Sequence, residues 1–539
     1  MKISQIPHFG WMAGSLVLAL VFMSSALTAR ANVYATDIRL NGSLNAGVIV
    51  PGASLTISYI LNDAATGGVW VRIYSGTNLI QTLASTNGNA GTNAGLNPAI
   101  WIGPTNLVTP GVYTVSITAA SAGYDAWTNI TDDGSNFSVA LPRGITVNQN
   151  TNSLFYGRVF VANADTPFGI FKYNADGSQG DEGGFSSGGL SWGEGAEFPE
   201  YSPWKMAISM DDKVYIDDLS GNGVVYAFDQ TIATNQYLAV VRADNYPSQD
   251  STPNLSGLSV IGAGTNARIW MTDEKPYVSA GIIAWQITAN GAAATNDTGT
   301  VIAPLDSDFL TQAPYDLAVD SNGYIYTIQF LTSDSPAGAL MCFPPYEGQP
   351  ETTADWAIWM YPVLLDAYGV AVDPTGTVVA VAVVGTNDYE TAPAGGLYLF
   401  SATNGDFITN VDQTGGNAYF DVAWDNVGNL YALDGRPNGF SGVWRAYSPP
   451  GTNQATTVAV PFIQAYNALS APYLTNPVVS MGGLGFTLAG QSNVTYVIQG
   501  SSDLTNWAAV ATNFSVLANR SISVPISGNQ SFYRAMTVP

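Results

Sequence analysis

Leu317-Ala318-Val319-Asp320-Ser321-Asn322-Gly323-Tyr324-Ile325-Tyr326-Thr327 is the stretch that decides the fold. It holds an apolar triplet with a small central residue, a turn opened by Asp and closed by Gly, and a second apolar triplet. An Asp at the head of a tight turn accepts from the backbone two residues on, and Gly supplies a positive φ. The plan returns as Val370-Ala371-Val372, Asp373-Pro374-Thr375-Gly376 and Val378-Val379-Ala380. It returns again as Val422-Ala423-Trp424, Asp425-Asn426-Val427-Gly428 and Leu430-Tyr431-Ala432. Anchored on the small residue, the unit occurs at Thr146, Ala207, Ser259, Ala318, Ala371 and Ala423, at spacings of 61, 52, 59, 53 and 52 residues. A third strand often follows, as in Gly169-Ile170-Phe171-Lys172-Tyr173 and Gly396-Leu397-Tyr398-Leu399-Phe400. One small antiparallel sheet cannot bury both of its faces, whereas several packed radially can. The spacing therefore predicts an all-β chain with a central six-bladed β-propeller over residues 142–465. The strand Thr456 to Ile463 is expected to complete its last blade.

These repeats resemble the NHL family of propeller repeats and the related gluconolactonase-like propellers. The turns at Asp320, Asp373 and Asp425 carry the likeness, and in the turns themselves those carboxylates are expected to do structural work.

Outward from the repeat, residues 32–141 show alternating strands typical of a sandwich of about 100 residues. They include Leu55-Thr56-Ile57-Ser58-Tyr59-Ile60, Val69-Trp70-Val71-Arg72-Ile73-Tyr74 and Val112-Tyr113-Thr114-Val115-Ser116-Ile117. With Trp101-Ile102-Gly103 and Pro110-Gly111, this series resembles the Ig-like domain of flagellar hook-capping proteins, a module that also serves as a stalk in exported bacterial proteins. The resemblance implies a presenting role. The family usually has Asp where Ile102 stands, so that turn is expected to differ. Residues 475–539, with Ser501-Ser502-Asp503-Leu504-Thr505-Asn506-Trp507 and Phe532-Tyr533-Arg534, resemble a small β-domain at the C-termini of many exported bacterial proteins.

Residues 1–31 read as a secretory signal: Lys2, an apolar run from Trp11 to Phe22, and Ala29-Arg30-Ala31 before the cut, with an uncleaved membrane anchor as the alternative that the short apolar run disfavours. Cleavage would remove the sole histidine, His8, together with Lys2 and Arg30; the 16 basic residues become 14 against 40 acidic ones, a net charge of −26. A mature chain without imidazole excludes Ser-His-Asp and Cys-His catalysis and histidine metal ligation. The single cysteine, Cys342, excludes an internal disulfide and a thiolate metal cluster. The acidic balance argues against nucleic acid or an anionic membrane surface as partner. No later segment reads as a membrane span.

Two groups of residues are candidates for ligand contact. Asn163, Asp218, Asp273, Gln329, Ala382 and Asp434 follow the second strand of successive repeats, and equivalent propeller positions form a ring. The oxygen-bearing members of that ring suit Ca²⁺ or another divalent cation, which needs no histidine. Gluconolactonase-like propellers hold a divalent metal with carboxylates and amides, but no family motif transfers their ligands to this chain. Capping of local turns is the alternative role. The second group lies in the Gly-rich loop from Asp181 to Glu200, where Glu194, Glu197, Glu200 and Trp192 suggest a sugar platform or paired carboxylates, with a solvated surface loop as the alternative reading. The first functional expectation is an exported, non-enzymatic scaffold or binding protein whose propeller face contacts a protein or glycan. The alternative is a metal-dependent, gluconolactonase-like hydrolase. Extracellular, cell-surface and periplasmic destinations are all compatible with export.

Overall fold

The computed structural model describes residues 33–44, 48–49, 55–83, 92–102, 111–131, 135–180, 183–193, 202–219, 223–242, 245, 255–273, 281–305, 310, 314–329, 339–359, 364, 366–385, 394–412, 418–435, 442–451, 456–464, 472–480, 483–490, 494–515, 519–524 and 532–537. The expected signal segment lies outside them. The described chain is all-β and is built from many small antiparallel sheets.

Six of these sheets follow the repeat. Their innermost strands are Pro142–Val147, Met206–Ile208, Leu255–Ile261, Pro314–Val319, Ala367–Val372 and Tyr419–Trp424. Each contains one of the six small anchor residues, and each is followed by its own antiparallel second strand. The innermost strands touch in succession, and the sixth returns to the first, so the sheets form a closed ring of six blades. Blades 1 to 6 are numbered from Pro142–Val147 onward.

The core is divided as this geometry requires. Six apolar clusters each join two neighbouring blades: Phe160 with Ile216, Val225 with Ile269, Ile282 with Ile325, Ile328 with Val379, Leu397 with Leu430, and Tyr431 with Val159. The turn aspartates act as expected. Asp320 Oδ1 accepts from the Asn322 and Tyr324 N–H groups, both at 2.9 Å. Asp373 Oδ1 accepts from Thr377 and Val378, and Asp425 Oδ1 from Val427 and Asn429. Gly323, Gly376 and Gly428 close the turns at φ of 90°, 67° and 96°, where a side chain would be strained.

Strand exchange between units departs from the sequence expectation. Thr456–Gln464 does not complete the last blade. It pairs antiparallel with Gly111–Ala120 over nine residues, from Thr456 opposite Ala119 to Gln464 opposite Gly111. The outer strand of blade 6 comes instead from Thr128–Asn129 and Ser138–Val139, which pair with Gly442–Ser448. The propeller is thus closed by the segment that precedes blade 1, and the sandwich by the segment that follows blade 6. A strand pattern specifies which face is buried but not which edge it joins, and both sheets had an edge open.

The sandwich comprises Ala35–Leu40, Leu55–Leu61 and Gly95–Ile102 in one sheet. The other contains Val48–Ile49, Thr456–Gln464, Gly111–Ala120, Gly68–Ser75 and Asn78–Leu83. Ile57, Tyr59, Val71, Ile73, Val115, Ile117, Val458 and Val460 share its core. Two further three-stranded sheets within 473–537 enclose Leu488, Tyr496, Ile498, Ile522 and Val524. No helix among the described residues is long and apolar enough to cross a membrane.

Candidate functional site

Near its start, the innermost strand of five blades shifts register, as between Pro314 and Asp316 or between Tyr419 and Asp421. A bulge of this kind bends a strand and re-aims its side chains. The residue two places before each anchor is Gly144, Lys205, Gly257, Asp316, Gly369 and Asp421 in blades 1 to 6. Odd blades carry glycine and even blades carry charge. A Cβ on Gly369 would stand 2.7 Å from the Asp421 Cα and 2.8 Å from its Oδ1, and one on Gly257 would stand 2.7 Å from the Asp316 Cα. The glycines leave the space that the charged side chains cross.

Those charges meet. Lys205 Nζ donates to Asp421 Oδ1 at 2.6 Å, Asp316 Oδ2 at 3.1 Å and the Tyr368 carbonyl at 2.9 Å. Asp316 Oδ2 also accepts from the Val370 N–H at 3.0 Å, and Asp421 Oδ2 from the Ile145 N–H at 2.8 Å. One ammonium therefore ties blades 2, 4, 5 and 6 together, while Asp421 ties blade 6 to blade 1. All three side chains are buried. Two carboxylates against one cation leave an excess negative charge out of water. Burial accordingly pushes Asp316 up to about 7 despite the opposing pull of Lys205. Asp421 is raised in the same direction, chiefly by burial. Burial alone would lower the Lys205 ammonium, but Asp316 and Asp421 hold it above its ordinary value.

One position earlier the six blades present Arg143, Trp204, Ser256, Tyr315, Tyr368 and Phe420. Tyr315 and Tyr368 stack with centroids 5.1 Å apart, and Phe420 meets Tyr368 edge-on at 5.7 Å. The Arg143 guanidinium lies 4.9 Å from the Phe420 centroid and 5.4 Å from that of Trp204. Trp204 Nε1 donates to the Ser256 carbonyl at 2.9 Å. The contacts form an arc from Tyr315 round to Ser256 at one end of the ring, above the Lys205 layer. Arg143, Tyr315, Tyr368 and Phe420 are half-buried, with part of each surface left to solvent. The arc sets aromatic faces and the Arg143 guanidinium over a floor closed by ion pairs.

The ring residues singled out from the sequence lie on the second strands of their blades. Asn163, Asp218, Asp273, Gln329 and Asp434 are all buried at the ends of second strands. Asn163 Oδ1 accepts from the Leu141 N–H at 2.8 Å, and its Nδ2 donates to the Asp165 and Pro167 carbonyls. Asp434 Oδ1 accepts from the Ala418 N–H at 3.3 Å, and its Oδ2 lies 3.0 Å from Arg445 Nη2. These two side chains secure the segments that enter their own blades. The blade 5 equivalent is Val383, opposite Ala367, rather than Ala382, which pairs with Gly369. Among the described residues, no group of three or more His, Cys, Asp or Glu side chains is placed to hold a metal ion.

Trp192 is no exposed platform. It is buried, with its Nε1 donating to the Ser187 carbonyl and its ring against Tyr226 and Phe228. Glu194, Glu197 and Glu200 lie outside the described residues. The Lys205 layer and the aromatic rim were not singled out from the sequence. Their signal is positional, lying two and three residues before each anchor.

No protein-family model matches the chain, and no curated protein matches it. Among solved structures, the soluble aldose sugar dehydrogenase of Escherichia coli in its apo form is 12% identical, with a TM-score of 0.37 over 60% of this chain and 99% of that one. A glucose dehydrogenase is 10% identical, with a TM-score of 0.34 over 59% and 98%. A complex of KlAtg21 with the coiled coil of AgAtg16 is 10% identical, with a TM-score of 0.33 over 70% and 99%. Likenesses at this level assign neither a family nor an activity, and the propeller rests on the strand topology itself.

Proposed function

We propose that the chain is an exported binding protein that takes a neutral glycan on the arc formed by Arg143, Tyr315, Tyr368 and Phe420, with Trp204 buried beside Arg143. The observation that carries the reading is the half-exposed aromatic arc above a floor sealed by ion pairs. Aromatic faces pair with the C–H faces of sugar rings. The formal charge of −24 favours a neutral sugar over an acidic one. On this reading the Ig-like unit presents the propeller, and the C-terminal β-unit serves attachment or sorting.

The test is binding of neutral oligosaccharides to the intact chain, first on an array and then by calorimetry, beside Tyr368→Ala. Removing one stacking ring is expected to weaken binding about tenfold, equivalent to roughly 1 to 1.5 kcal/mol. Glycan binding unchanged in Tyr368→Ala would move the site away from the rim. A folded chain that binds no glycan but captures a protein through the same residues would replace the glycan with a protein partner.

A further inference from the structure

The opposite end of the propeller holds a cavity of about 200 Å³ between blades 4 and 5. Asp320, Tyr324, Tyr326, Cys342, Asp355 and Trp356 supply most of its chemistry, and neither Lys nor Arg lines it. Set against the ~30 Å³ share of one liquid water, this volume suits a compact ligand of a few heavy atoms.

Asp320 is the central observation. It is only 5% exposed. Its Oδ1 is engaged by the turn N–H groups of Asn322 and Tyr324. Its Oδ2 has no hydrogen-bond partner among the described residues and faces the cavity. That oxygen stands 3.1 Å from where a Cβ on Gly376 would sit, and Gly376 also lines the cavity. On a residue this enclosed, an oxygen that opens onto the cavity is left to water or to a donor that enters the cavity.

The other walls select what kind of donor. Asp355 adds a second carboxylate at an exposed position. Tyr326 and Trp356 stand with ring centroids 6.1 Å apart, and Trp356 Nε1 is anchored to the Ala402 carbonyl at 3.1 Å. Burial pushes the Cys342 thiol up to about 12, with Asp355 adding to the rise, so the sulfur is neutral at physiological pH. Two carboxylates and a protonated thiol make a poor cage for a metal ion. Carboxylates beside aromatic walls suit an ammonium carried on carbon, held by charge and by the ring quadrupoles.

We infer that the cavity between blades 4 and 5 binds a small organic cation of the alkylammonium class. Asp320 and Asp355 supply the counter-charge, and Tyr324, Tyr326 and Trp356 supply the walls. This site is separate from the glycan rim, because Asp320 follows the end of the strand whose start carries Asp316.

The experiment titrates the intact chain with methylammonium and tetramethylammonium chlorides against a sodium chloride control, read by tryptophan fluorescence and calorimetry. Calcium chloride is run in parallel. Saturable one-to-one binding of an ammonium ion is expected. Asp320→Asn, whose remaining oxygen still accepts from the turn, should weaken it on the order of tenfold. Asp355→Asn, at an exposed position, should weaken it about threefold and guards against a folding defect in the first variant. The folded chain giving no saturable ammonium response would overturn the inference. So would unchanged affinity in both variants, or calcium binding that competes with the ammonium ion and is lost in Asp320→Asn. Loss of ammonium binding in the variants with glycan binding intact keeps the two sites distinct.

Discussion

Lys205→Met keeps most of the aliphatic stem and removes the ammonium that blades 4, 5 and 6 share. Asp316 would retain the Val370 and Leu317 N–H groups, and Asp421 would retain Ile145. Neither carboxylate would keep a counter-charge among these contacts, and both are buried. Breaking a buried ion pair by removing one partner costs about 3–5 kcal/mol. The unfolding entropy of about 2 cal/mol/K per residue, over about 320 residues, gives ~0.7 kcal/mol/K and a fall in melting temperature of about 6 °C. The assay is calorimetry of the intact chain, with near-UV circular dichroism following the aromatic environment of the rim. A companion variant, Lys205→Met with Asp316→Asn and Asp421→Asn, replaces the whole charged layer by neutral groups and should recover part of the loss. A fall below about 1 kcal/mol for Lys205→Met alone would refute the idea that this layer ties the ring together. A companion variant less stable than Lys205→Met would refute the charge argument, leaving packing as the cause.

Two further outcomes follow from the same geometry. Asp316, pushed up to about 7 by burial, binds more protons in the native chain than in the unfolded one, where its pKa is about 3.9. Its contribution to stability is complete below about pH 4 and is lost as pH rises through 7, so the propeller should melt lower at pH 8 than at pH 6. Asp316→Asn should flatten that slope in calorimetric scans, and an unchanged slope would remove Asp316 as its source. A chain ending at Gly451 loses the strand that pairs with Gly111–Ala120 and supplies Val458 and Val460 to the sandwich core. Limited proteolysis should cut its sandwich and spare the propeller, while a chain ending at residue 471 keeps both; an intact sandwich in the shorter chain would contradict the pairing.

The propeller was legible because its signals are local. Each anchor residue lies close to its second strand, three of the six pairs are joined by an Asp-to-Gly turn, and the recurrence fixes the register. The closure of both units was not. Thr456–Gln464 reads as a strand in isolation, but its partner, Gly111–Ala120, lies more than 300 residues earlier, and nothing in an alternating pattern names an edge. The charged layer failed for another reason. Gly144, Lys205, Gly257, Asp316, Gly369 and Asp421 share one column of the repeat but no common residue type. Their relation exists only when six blades bring positions from Lys205 to Asp421 together. Trp192 misled because an aromatic in a Gly-rich loop suggests exposure, whereas its φ of 48° accompanies a ring packed against Tyr226 and Phe228.

The strand exchange also gives the propeller an orientation. The innermost strands run from the rim toward the opposite end, and the sandwich meets that opposite end at blades 1 and 6. Thr36 Oγ1 donates to the Tyr156 carbonyl, the rings of Tyr34 and Tyr156 lie 4.9 Å apart, and the hydroxyls of Tyr34 and Tyr431 are 3.0 Å apart. Gly157 makes that approach possible, because a Cβ there would stand 2.7 Å from the Tyr34 ring. The two chain crossings are themselves joined where the Gly451 N–H donates to the Tyr124 carbonyl at 2.8 Å. A propeller held by one linker would tumble relative to its neighbour. This one is held by two crossings and a buried aromatic contact, and the aromatic rim is on the end left uncovered by the sandwich. The sandwich and the rim therefore stand at opposite ends of the propeller, so a ligand on the rim would not meet the sandwich.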